Sequence, residues 1–225
     1  MIAYGESLAE RYSSDGEMLE FEKGLAAFFS HGAKKRYVGR VVYPQYETIV
    51  RGYEPRRTDG FPIQSRTLEV MFEHLLDDEL EVAIELALET IRQLKFSEVD
   101  PRDLVISRSC KGRMDKKNGK IDFSKDYVNP ASLAHVQTAM KRIERGLTFT
   151  PGMKVSWIVT DARTSPMTVE PYLVDETGGQ PPGPDYSFYT RRLSTALGRI
   201  TEAFGWTAED LVAGTRQTTL FSFQE

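Results

Sequence analysis

Along the chain, the spacing of apolar residues changes once, near residue 55. Before that point the apolar runs are short and alternate; after it they recur at helical intervals. Residues 3–12, AYGESLAERY, read as a weak helix that stops at Ser13, Ser14, Asp15 and Gly16. In MLEFEKGLAAFF (18–29), the alternation of Met18, Leu19, Glu20, Phe21 and Glu22 predicts a strand. KKRYVGRVVYP (34–44) and ETIVRGYE (47–54) predict a two-stranded hairpin, rich in Val, Tyr and Ile and broken at Pro44.

Beyond Asp59 the period is helical. Leu68, Met71, Phe72 and Leu75 mark one face in SRTLEVMFEHLLDD, and Ala83, Ile84, Ala87, Leu88, Ile91 and Leu94 mark another in LEVAIELALETIRQL. DPRDLVISRS (100–109) predicts a turn and a short strand. NPASLAHVQTAMKRIERG (129–146) predicts a helix capped by Asn129, with Pro130 where a missing N–H costs nothing and Gly146 at its end. TPGMKVSWIVT (150–160) reads as a turn and a buried strand. The Gly/Pro loop GGQPPGPD (178–185) leads into the helix YSFYTRRLSTALGRITEAFG (186–205), and TAED (207–210) forms a capping box for a last short helix. No internal repeat is present. A small β-rich part followed by a mainly helical part, with a boundary near residues 55–60, predicts an α+β fold.

Composition narrows the classes without choosing one. The 29 Lys and Arg against 33 Asp and Glu give a net charge of −4, so a nucleic-acid role has to rest on local clusters. The single cysteine, Cys110, forbids an internal disulfide and suits a reducing cytoplasm. No apolar run approaches the roughly 18 residues of a membrane span, and MIAYGESLAERY lacks a secretory pattern. The expectation is a cytoplasmic chain without a membrane partner.

Several charged clusters could carry chemistry. Lys34, Lys35, Arg36 and Tyr37 put three cations and an aromatic at the start of a strand. That set suits a passing phosphate backbone, Lys as point charges and Arg as a bidentate fork. It also suits an edge strand protected against aggregation. Glu20 and Glu22 would share a strand face, either holding Mg²⁺ through two carboxylates or simply facing water. Arg51, Glu54, Arg56, Arg57 and Asp59 form a mixed-charge cluster at the boundary, fit for an ion-pair network or a nucleic-acid contact. Lys111, Arg113, Lys116, Lys117, Lys120 and Lys125, with Arg108 just before, surround Asn118-Gly119; the stretch could embrace DNA phosphates or form a solvated surface hairpin. Lys141-Arg142 and Arg191-Arg192 are expected to face water. His31, His74 and His135 lie far apart and suggest no metal site, and no Ser-His-Asp set, Gly-rich phosphate loop or CxxC occurs.

The segments LEFEK (19–23), FF (28–29), KKRYVG (34–39) and RGYEPRRTD (51–59) together resemble the palm-to-thumb passage of archaeal-type family B DNA polymerases. AHVQTAMKRIERG (134–146) with TPGMKVSWIV (150–159) resembles the middle of that family's thumb, and YSFYTRRLSTALGRITEAFGW (186–206) its last long helix. The resemblance covers about residues 3–225. The family's catalytic aspartates lie in motifs similar to YGDTDS and SLYP; neither occurs here, and Tyr4-Gly5 continues as Glu-Ser-Leu.

The resemblance implies the small subunit of a split DNA polymerase. Residues 1–58 would complete the palm sheet of a large partner through Leu19, Phe21, Phe28 and Phe29; residues 59–206 would form a thumb around duplex DNA; residues 207–225 would be a short helix and tail. It implies primer-template contacts at Lys34, Lys35, Arg36, Tyr37, Arg51 and Arg57, and a palm–thumb junction at Glu54 and Asp59. Mg²⁺ would be held mainly by the partner, with Glu20 and Glu22 as accessory ligands and dNTP as the substrate of the complex. In the tail RQTTLFSFQE (216–225), Gln217, Leu220 and Phe223 match the family's sliding-clamp peptide, Gln-x-x-aliphatic-x-x-aromatic. A non-catalytic module for DNA binding and clamp tethering, or a purely structural assembly subunit, are the rival readings.

Overall fold

The computed structural model describes residues 2–13, 20–53, 60–115 and 119–216. The chain divides into two compact units, residues 1–53 with 70–84, and residues 54–69 with 85–225. Both mix helices with small antiparallel sheets, an α+β fold.

The first unit opens with α1 (Ile2–Tyr12) and carries a three-stranded sheet of β1 (Gly24–Phe29), β2 (Tyr37–Tyr43) and β3 (Glu47–Arg51), with β2 central. The strand expected at residues 18–22 instead begins at Gly24. Met18 and Leu19 lie outside the described residues, and residues 20–23 form no regular element. The reason is visible at Phe21. Its ring stacks on Tyr43 with centroids 5.5 Å apart and lies where a Cβ on Gly5 would come within 2.6 Å. Phe21 thus works as a side-chain anchor for α1, while GLAAFF supplies the backbone that pairs with β2. The β2–β3 hairpin forms as expected, with Val38 opposite Val50 and Tyr37 opposite Arg51.

Helix α2 (Pro62–Leu76) begins in the second unit and ends in the first, and α3 (Leu80–Lys95) leads the chain back into the second. Ala83, Ala87, Ile91 and Leu94 of α3 are fully buried, at spacings of four, four and three residues. In the first unit Phe72 packs on the buried Tyr53 ring at 5.0 Å.

In the second unit, β4 (Ile106–Ser109), β7 (Lys154–Asp161) and β8 (Thr168–Pro171) make a sheet with β7 in the middle. A separate small hairpin, β5 (Arg113–Met114) with β6 (Ile121–Asp122), follows β4. Val155, Trp157, Ile158 and Val159 of the central strand are all buried, and Ser156 between them bonds Ser107 on β4. Helix α4 (Ala134–Glu144) packs on β7 and β8. It starts later than the expected residue 130: Pro130–Ser132 form a separate 3₁₀ turn, and Asn129 sits in the left-handed region (φ 55°) without a side-chain cap bond. After the short α5 (Val174–Thr177), α6 (Tyr186–Thr201) is capped by Asp185, which accepts from the Phe188 N–H. Helix α7 (Ala208–Ala213) has the expected capping box between Thr207 and Asp210. The buried Tyr189 hydroxyl accepts from the Val159 N–H at 2.9 Å and ties α6 to β7. Among the described residues no helix is long and apolar enough to cross a membrane.

Lys141 and Arg142 do not face water as expected. The Arg142 side chain is 7% exposed and forms a bidentate pair with Glu176. Lys141 is half-buried, bonding the Val169 carbonyl and Glu170. Their carboxylate partners lie on β8 and α5, elements that follow α4 in the chain and return to it.

Candidate nucleic-acid interface

The turn between β1 and β2 presents Lys34 and Lys35 to solvent, with Arg36 and Tyr37 half-buried beside them. Its shape is fixed by backbone bonds. The Arg36 N–H donates to the Ala33 carbonyl at 3.0 Å, and the Ser30 hydroxyl donates to the Arg36 carbonyl at 2.8 Å. Phe28 packs its ring on Tyr37 at 5.6 Å. The β2–β3 register then sets Arg51 directly opposite Tyr37. Just past it, Gly52 has φ +72°, and a Cβ there would sit 2.2 Å from the Lys35 carbonyl oxygen. Only glycine lets the two chain segments approach this closely. Five of the sequence-predicted residues, Lys34, Lys35, Arg36, Tyr37 and Arg51, therefore gather at one end of one sheet.

The electrostatics of this end differ from those of the sheet behind it. Among the described residues, Lys34, Lys35, Arg36 and Arg51 make no ion pair. Arg40, three residues along β2, is 16% exposed and held by Glu73 and Asp77, with Thr48 donating to Glu73 at 3.0 Å. The guanidinium of Arg40 in turn holds the Asp77 carboxyl below its usual range. Lys23 is paired with Glu47. The four cations at the sheet end can donate to phosphate oxygens without first giving up a carboxylate among the described residues.

Glu20 and Glu22 are both exposed, in the irregular stretch before β1, so they do not share a strand face as expected. Among the described residues no group of three or more His, Cys, Asp or Glu side chains could hold a metal ion. Glu54, Arg57 and Asp59 lie outside the described residues, as do Gln217, Leu220 and Phe223. Sequence reasoning missed Gly52, whose role is legible only once the hairpin register is known.

Comparison with known proteins gives the class first: a chain related to DNA polymerases. No protein-family model matches it. DNA polymerase 2 of Aeropyrum pernix is 26% identical over 208 residues, covering 91% of this chain and 24% of that protein. The DNA polymerases of Thermococcus kodakarensis and Thermococcus gorgonarius are each 30% identical over 86% of this chain, and the aligned parts are 11% and 23% of those proteins. The solved family B DNA polymerase from the hyperthermophilic archaeon Pyrobaculum calidifontis shares the fold with a TM-score of 0.57 and 21% identity, over 89% of this chain and 24% of that one. Over nearly its whole length the chain is similar to one part of these DNA polymerases, and it shares its fold with part of a family B DNA polymerase. It spans a quarter or less of the length of these relatives.

Proposed function

We propose that this chain is the small, C-terminal subunit of a split family B DNA polymerase, and that a larger polypeptide supplies the exonuclease, fingers and catalytic palm. The observation that carries this reading is the gathering of Lys34, Lys35, Arg36, Tyr37 and Arg51 at one sheet end in a homologue of DNA polymerases. Residues 1–58 complete the partner's palm sheet, residues 59–206 act as the thumb with the junction at Glu54 and Asp59, and Arg57 joins the primer-template contacts. The 225 residues contain neither a YGDTDS-like nor an SLYP-like motif, so this chain alone does not polymerise. Two-metal nucleotidyl transfer places Mg²⁺ between acidic ligands and the dNTP triphosphate; those ligands belong to the partner, with Glu20 and Glu22 no more than accessory. The chain contributes duplex binding. Lys34, Lys35 and Arg36 neutralise phosphates in a sequence-independent, salt-sensitive way, and Tyr37 packs beside them. Gln217, Leu220 and Phe223 dock on a sliding clamp, and the complex works in the cytoplasm.

Two measurements test the reading. The tagged chain should co-purify with a separately encoded polymerase chain bearing the aspartate motifs; no such association removes the split-subunit claim and leaves the DNA-binding module. The Lys34→Glu, Lys35→Glu, Arg36→Glu variant should bind primer-template duplex at least about a hundredfold more weakly than wild type, with a flatter salt dependence. Unchanged binding removes the role assigned to this turn.

A further inference from the structure

The Lys-rich stretch after β4 lies within the proposed thumb but is not among the residues assigned a contact above, and both of its ends are anchored in the second unit. Cys110, fully buried, fixes its root: its N–H donates to the Met153 carbonyl at 2.9 Å and its carbonyl accepts from Gly152 at 2.7 Å. The return strand is anchored by Phe123, packed on Phe149 at 5.6 Å, and by Tyr127, whose hydroxyl accepts from the Lys111 N–H at 2.8 Å. Tyr127 also meets the edge of the buried His135 ring at 5.1 Å. Gly112 runs so close beneath the return strand that a Cβ would lie 2.8 Å from Ile121 and 3.3 Å from the Phe123 ring. Between these anchors β5 and β6 pair, and the Asp115 N–H donates to the Lys120 carbonyl at 2.8 Å. A loop that merely filled a connection would need none of this.

The outer surface of the hairpin is cationic. Arg108, Lys111, Arg113, Lys120 and Lys125 are all exposed, and Met114 among them is 63% exposed. The carboxylates that face them lie deeper: Asp126 is 3.5 Å from Arg113 and Asp122 is 3.7 Å from Lys125, each less exposed than its cation. Residues 108–126 hold seven Lys and Arg against three Asp, a net +4 in a chain of net −4, which leaves −8 on the rest. Positive charge is concentrated in one short stretch of an otherwise acidic chain, as a polyanion contact requires.

We infer that the β5–β6 hairpin is a second phosphodiester contact of this chain, taking the backbone of duplex DNA through Arg108, Lys111, Arg113, Lys120 and Lys125. The inference rests on the DNA-binding reading above and adds a site in the second unit that neither the turn at Lys34 nor the tail accounts for. No base-specific contact is implied, since lysine and arginine on phosphates position a duplex without reading it.

The test is a duplex-binding titration of the full chain over a range of salt, comparing wild type with Lys111→Gln, Lys120→Gln, Lys125→Gln and with the Lys→Arg triple at the same positions. The Gln triple should bind about tenfold or more weakly, and its log–log salt slope should fall by about 2 to 3, near 0.9 for each phosphate no longer neutralised. The Arg triple should bind as wild type does, and all three proteins should melt at the same temperature. Equal affinity and slope in the Gln triple, with binding still lost on Lys34→Glu, Lys35→Glu, Arg36→Glu, overturns the hairpin contact alone. Loss of acidic-peptide binding with duplex binding intact also overturns it and assigns the hairpin to a protein partner. A wild-type chain that does not bind duplex overturns both readings.

Discussion

Outside the β5–β6 hairpin, the two units hold their cations differently. In the second unit many well-placed cations are built into structure: Arg142 with Glu176, Lys141 and Arg145 with Glu170, Arg92 with Glu89 and Glu98, Arg66 with Asp103. These pairs surround a core of Leu104, Ile158, Tyr189, Leu193 and Leu197. In the first unit Arg40 is used in this way, but Lys34, Lys35, Arg36 and Arg51 are left without ion-pair partners among the described residues. Phe28, 57% exposed, packs on Tyr37 at this end of the sheet, while the exposed Leu25, Val42 and Tyr46 lie toward the other end. A cation with no carboxylate partner among the described residues keeps its donors free of any of them.

Substitutions that sharpen this contrast rank by burial. Leu197→Ala, at a fully buried site, should cost about 3 kcal/mol in urea unfolding through lost transfer energy and a residual cavity. A cost near zero would mean that the second unit is not the stable body described here. Glu176→Gln should cost about 1–2 kcal/mol; it leaves the buried Arg142 guanidinium without its carboxylate, though Glu176 itself is half-exposed and partly screened. The same variant carries a pH signature. The Arg142 guanidinium holds the Glu176 carboxyl below the usual carboxylate range. A depressed folded-state value gives stability that is present above the unfolded value and lost as pH falls through the folded one. Wild type should therefore lose stability on acidification below about pH 4.3 more steeply than Glu176→Gln, read from unfolding midpoints across pH.

Thr207→Ala, which removes the capping box of α7, should cost about 1 kcal/mol. Smallest of all, Lys34→Gln, Lys35→Gln, Arg36→Gln should change stability by less than about 0.5 kcal/mol, because no ion pair among the described residues depends on these side chains. A large destabilisation there would erase the distinction between the units. The tail adds a test of another kind. Leu220→Ala with Phe223→Ala should abolish clamp-stimulated long products and spare basal synthesis; equal loss of both would make the tail structural.

How far the sequence could be read depended on whether a feature was local. The α3 stripe of Ala83, Ala87, Ile91 and Leu94 follows from helical spacing alone, and the Thr207–Asp210 box from three residues of separation. The β2–β3 hairpin was legible from its turn. Where a distant partner decided, local pattern misled. Phe21 alternates with its neighbours as a strand residue would, yet Gly5 and Tyr43 recruit its ring and the strand starts at Gly24. Arg142 sits where a helical wheel expects water, but Glu176, 34 residues away, closes over it. Asn129 and Pro130 carry helix-start signals that produce only a 3₁₀ turn, because the apolar face that α4 buries begins later, at His135 and Val136. The basic turn was recognisable as a cluster, while its juxtaposition with Arg51 and the need for Gly52 came from register and close approach.

Primer extension with defined components tests the central claim most directly. A recessed primer-template, dNTPs and Mg²⁺ are supplied to this chain, to the chain carrying the catalytic aspartate motifs, and to both together. The account predicts no extension by this chain alone, weak and short products from the partner alone, and robust synthesis from the pair, abolished when Lys34, Lys35 and Arg36 are reversed to Glu. Equally long products from the partner with and without this chain would contradict it.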